Sequence, residues 1–182
     1  MKLNKISIVL CFMLQITLLT SCATTDGSGD RTEARLHAAA EYAAGLHAFV
    51  IRAAGTCKNL LGRDDTFEDG IVDNWKLNNG EYSYAGTRWI AMSVFLTAHQ
   101  TAGELGSEQE QAIRQTMLTE KSETLSAIGT EMIDEVLSGS RAEQLKICNG
   151  FPDEIRAGQY DITPESEHYQ VLTLMVERLG KQ

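Results

Sequence analysis

Histidine is the side chain best suited to acid–base or metal chemistry near neutral pH. This chain has four: His37, His47, His99 and His168. His37 and His47 are ten residues apart, about 280° around a helix, so they point in different directions. No His-x-x-x-His pair occurs, and Glu165-Ser166-Glu167-His168 holds one Glu-x-x-His. A di-iron bundle needs two such motifs and two further glutamates on facing helices. A single copy in the first turn of an expected helix reads as a partner of the helix dipole or of solvent. Asp64, Asp65, Glu68 and Asp69 suggest calcium, but an EF-hand loop counted from Asp65 puts Phe67 at position three, where an oxygen ligand is required. These acids read as helix-start residues. Met92, Met117, Met132 or Met175 with a histidine would serve a haem iron; at helical spacing they read as core. The chain has no Cys-x-x-Cys-His, Gly-x-Ser-x-Gly, Walker loop, Ser-x-x-Lys or His-Glu-x-x-His. The expectation is a non-enzyme with no catalytic residue, no metal site and no cofactor. The alternative is a triad built by the fold, which geometry rather than a motif would define.

The front of the chain is more specific. Lys2 and Lys5 make a positive start without an acid, and Ile6 to Leu19 is a 14-residue apolar run broken only by Ser7, Gln15 and Thr17. A membrane-spanning helix needs about 20 such residues, so this run suits a cleaved signal. Leu19-Thr20-Ser21-Cys22 closes it and resembles the lipobox of bacterial lipoproteins. The alternatives are a plain signal peptide cut elsewhere and an uncleaved anchor. The resemblance implies cleavage before Cys22, a diacylglycerol on its thiol and an acyl chain, such as palmitate, on its amine. Several acyl chains hold a protein stably on a membrane where one does not. Ala23 after the cysteine, in place of aspartate, implies the periplasmic face of the outer membrane over the inner membrane. Residues 22–31 then form a lipidated, flexible tether of small and polar residues (ATTDGSGDR after Cys22), with a reach of at most ~30 Å.

The same resemblance sorts the cysteines. Cys11 leaves with the signal and Cys22 carries lipid, so Cys57 and Cys148 remain in an oxidising compartment. With one partner each, they are expected to form a structural disulfide, worth on the order of 4–5 kcal/mol by chain entropy. A metal pair or a reactive thiol are the competing readings. The metal reading lacks a second Cys or His within the usual ligand spacing.

The chain from Cys22 onward has 161 residues, enough for one domain with a real core over 32–182. Loss of Lys2 and Lys5 with the signal takes the net charge from −9 to −11, which argues against nucleic acid as a partner. A membrane-anchored, non-enzymatic protein that binds another envelope protein is the expected role. A periplasmic immunity protein or a bundle carrying a small apolar ligand are the alternatives. The segment with a recognition composition is Asp73 to Trp89, where Trp75, Tyr82, Tyr84, Arg88 and Trp89 surround Asn78-Asn79-Gly80. Trp, Tyr and Arg are enriched at binding hot spots. Tyr82, Tyr84 and Arg88 are the candidate partner surface, and plain core packing of the aromatic cluster is the other reading.

The elements that must position these residues all read as helical: about four main helices and two short ones, an all-α bundle. Thr32 to Leu61 carries an apolar stripe rich in alanine, so a neighbour can approach closely, and Gly62 ends it. Asp65 and Glu68 read as a capping box before a short helix to about Leu77. Asn78-Asn79-Gly80 reads as a stop and turn, with a second helix over Tyr82 to Ala102. Ser107 and Glu110 start a long helix to about Leu137, interrupted by the polar run Glu120 to Glu123. Ser140 and Glu143 restart a short helix that Asn149-Gly150-Phe151-Pro152 breaks. Thr163-Pro164-Glu165 reads as the start of the last helix, which ends at Gly180.

Overall fold

Alanine and glycine decide how the helices meet. The computed structural model describes residues 27–179, with side chains from residue 31. It contains five helices: α1 Gly27–Leu61, α2 Asp65–Ala102, α3 Glu108–Val136, α4 Arg141–Arg156 and α5 Tyr169–Leu179. No strand occurs among the described residues. The lipobox, Cys22 and residues up to 26 lie outside them. α1 begins at Gly27, inside the stretch read as tether.

Helix α1 is the central element. Ala39, Ala40, Ala43, Phe49, Val50, Ala54 and Cys57 are buried along its length. Helix α2 runs antiparallel to it, as the pairing of Lys58 with Asp65 and Glu68 at one end and the Ala40–Gly86 contact further along require. A Cβ on Gly86 would meet the carbonyl oxygen of Ala40 at 2.8 Å. Helix α3 runs parallel to α1: Lys121 bonds His37 and Gly129 lies against Ala48 and Phe49. A Cβ on Gly129 would stand 3.0 Å from the Ala48 carbonyl carbon. At both crossings the missing side chain lets two backbones touch, a contact any larger residue would push apart.

Helix α4 returns along α1. Cys148 is joined to Cys57 by a disulfide, Arg141 donates to the Leu60 carbonyl, and Phe151 meets Phe49 edge to face with centroids 6.3 Å apart. Trp75, Phe49, Phe151 and Leu172 are the largest apolar side chains fully inside. Burial of each contributes roughly 1.5–3 kcal/mol.

The caps explain where helices start. Ser107 accepts the Glu110 N–H, and Ser140 with Glu143 forms a reciprocal capping box. At α2 the N-cap is Asp64, one residue before the expected one. The Asp65 and Glu68 carboxylates instead take Lys58 of α1, at 2.8 and 2.6 Å. The Asp64 carboxyl is held below its ordinary range chiefly by the Thr66 hydroxyl, which donates to it at 2.6 Å.

Two expected breaks and one expected helix start are corrected. Asn78-Asn79-Gly80 does not turn the chain, because α2 runs unbroken for 38 residues. Asn149 to Pro152 does not end α4, which carries Pro152 inside it. The proline gives up one backbone bond, but buried Phe151 and Ile155 and the disulfide at Cys148 hold the turn around it. Thr163-Pro164-Glu165 forms a turn, with the Thr163 N–H donating to Ser166 Oγ at 2.9 Å, and α5 starts only at Tyr169. The outcome among the described residues is five helices rather than six, all α as expected.

Candidate functional site

The asparagines that read as a turn are instead the bolt of α2. Asn79 is fully buried. Its amide donates to the Trp75 carbonyl at 2.9 Å and to Asp161 Oδ1 at 2.7 Å, and its oxygen accepts the Ile162 N–H at 2.7 Å. Asn78 donates to the other oxygen of Asp161 at 2.7 Å, and Trp75 Nε1 donates to the Tyr160 carbonyl at 2.9 Å. Asparagine favours turns because its side chain competes for backbone partners. Here the partner is the distant segment Tyr160–Ile162, so the helix continues and the connector is pinned to it. Burial raises the Tyr160 phenol above its ordinary range, and the Glu154 carboxylate beside it acts in the same direction.

A continuous helix at residues 78–80 rearranges the candidate surface. Tyr82 and Tyr84, two residues apart on a helix, are about 200° apart around it. Tyr82 turns inward, half-buried, with its ring 5.9 Å from that of Tyr169. Tyr84 turns outward and is 60 % exposed. Arg88, one turn further on and exposed, donates to the Tyr84 hydroxyl at 3.2 Å. The structure therefore keeps Tyr84 and Arg88 together and separates Tyr82 from them. Trp75 belongs to the core, and Trp89 is half-buried against it.

Leu77 and Glu81, which the sequence did not mark as surface contacts, and Met92, which read as core, share the outer face. Leu77 is 82 % exposed and Met92 43 % exposed, and Glu81 is exposed between them. With Tyr84 and Arg88 they recur at steps of four, three, four and four, which is one face of a helix. The opposite face carries buried Trp75, Asn79, Ser83, Gly86 and Ile90. The signal for the outer face was present in the spacing, but the expected turn cut it in two.

The histidines do not converge. His47 stacks on Trp75, centroids 5.5 Å apart, and its Nδ1 lies 3.0 Å from Ser83 Oγ. Burial lowers its pKa, and the nearby Lys76 charge adds to that. A serine–histidine contact is the start of a nucleophile–base pair. Here Ser83 is buried, His47 Nε2 is buried with no hydrogen-bond partner among the described residues, and the contact joins α1 to α2. His37 and Glu41 share Lys121 of α3 at 3.1 and 2.8 Å. His168 tilts against Tyr42. Among the described residues no group of three metal-ligating side chains occurs, and no helix is long and apolar enough to cross a membrane. A groove of about 300 Å³ runs between α1, α3 and the start of α4, lined by both apolar and polar side chains, among them Leu60, Ile133, Leu137, Arg52, Asp134 and Gln144. Arg52 bonds Ser126 beside it.

No family model, no curated protein and no solved structure matches this chain. The reading of function therefore rests on its own residues.

Proposed function

We propose that this chain is a lipid-anchored, non-enzymatic protein of the bacterial envelope that binds a protein partner through the outer face of α2. The observation that carries the binding role is the outward line of Leu77, Tyr84 and Met92, with Arg88 among them, on the face opposite the core. Apolar side chains grouped at a surface mark contact sites more often than scattered ones do. Tyr and Arg supply large contact area and directed donors. The anchor rests on Leu19-Thr20-Ser21-Cys22, whose resemblance to a lipobox makes Cys22 the lipidated residue, with the periplasmic face of the outer membrane as the site. The Cys57–Cys148 bridge suits the oxidising side of that membrane.

Two measurements test the two halves. Labelling cells with a radioactive or clickable palmitate should mark the protein and lose the mark in Cys22→Ala. Retained label in that variant removes the anchor. A photo-crosslinking residue at position 84 should capture a protein in the native envelope, while the same residue at exposed position 153 on α4 should not. Equal capture at both positions, or none at 84, removes the binding face.

A further inference from the structure

We infer that the occupant of the outer α2 face is a second copy of this chain, docked antiparallel about a two-fold axis that passes close to Tyr84. The inference deepens the binding reading above and depends on it. A two-fold interface uses the same patch twice, so the patch must complement itself when reversed. This one does. Its order along the helix is Leu77, Glu81, Tyr84, Arg88, Met92. Glu81 and Arg88, of opposite charge, lie equally far on either side of a centre between residues 84 and 85. Leu77 and Met92, both apolar and exposed, lie equally far out beyond them. Reversal therefore sets each Glu81 across from the other copy's Arg88, and each Leu77 across from the other copy's Met92. The two Tyr84 rings meet at the axis. A parallel arrangement would instead set Glu81 on Glu81 and Arg88 on Arg88, and like charges across an interface repel.

The bond from Arg88 to the Tyr84 hydroxyl holds both at the centre of the patch, where contacts count most. The line spans about four turns, ~22 Å at 1.5 Å per residue. That is a short interface, at the weak end of specific ones. Tethering both copies to one membrane would raise their effective concentration and offset that weakness.

The test uses the full-length, membrane-held protein. In a Tyr84→Cys background, a short bismaleimide should give a species of twice the chain mass whose peptides come from this chain alone. Glu81→Arg or Arg88→Glu added singly should each reduce that species about tenfold, since each sets like charges opposite one another. Both substitutions on one chain should restore it, and so should co-expression of the two single variants, which pairs each new charge with its opposite. Failure of both rescues overturns the inference. A crosslink from position 84 to a different protein also overturns it, but leaves the binding face standing. No crosslink from position 84 to any protein overturns both.

Discussion

The two faces of α2 are built from the same helix and obey different rules. The inner face is specified by fit: Gly86 admits the α1 backbone, Asn79 saturates its amide on Trp75, Asp161 and Ile162, and Trp75 fills the core with its indole N–H satisfied. Every polar atom brought inside there by Asn79 and Trp75 has a partner, which is the condition for burying it at low cost. The outer face is specified by exposure and order. Leu77 and Tyr84 touch water, and neither belongs to the core among the described residues. A helix needs only one apolar face to join a bundle. The proposed binding face is the one that the core of the described residues does not use.

Substitutions should separate the faces cleanly. The largest effect is expected on the inner face at Trp75→Ala, which removes a fully buried indole and strands the Tyr160 carbonyl; chemical denaturation should show a loss of about 3–5 kcal/mol. Gly86→Ala should cost less, about 1–3 kcal/mol, because the new methyl must push back the Ala40 carbonyl. The better helix propensity of alanine, about 1 kcal/mol, offsets part of that. A neutral or stabilising result at position 86 would mean that the α1–α2 crossing is looser than described. The smallest effect belongs to the outer face. Leu77→Ala and Tyr84→Ala, measured at dilution so that association does not contribute, should each change stability by less than about 0.5 kcal/mol. A loss of several kcal/mol at either position would erase the contrast between the faces and return the aromatic cluster to plain packing.

The fold class was legible because helical periodicity and caps are local. Ser107, Ser140 and Gly62 mark helix ends in the structure as their types suggest, with Gly62 at φ 63°. The Cys57–Cys148 pair was legible by elimination once the lipobox reading had set Cys11 and Cys22 aside. The two helix breaks that do not occur share one cause. Asn78, Asn79 and Pro152 are helix breakers by intrinsic preference, and long-range partners override that preference: Asp161 for the asparagines, and the disulfide and the Phe49–Phe151 contact for α4. Those partners are more than 80 residues away from Asn78, Asn79 and Cys148 in the chain. The candidate surface was half legible for the same reason. Tyr84 and Arg88 remain on it, while the expected turn hid that Tyr82 faces inward and that Leu77 and Met92 complete the line.

The two glycine crossings also set the permitted motions. Sliding α2 by one turn along α1, about 5.4 Å, would bring Tyr82 or Ile90 to the place where Gly86 now meets Ala40. The same slide of α3 would bring Leu125 or Ile133 against Ala48 in place of Gly129. Neither replacement fits where backbones touch, so the one-turn ratchet by which some packed helices switch state is blocked at both crossings. A pull along the helix axes would therefore load α1, α2 and α3 together, as a single strut.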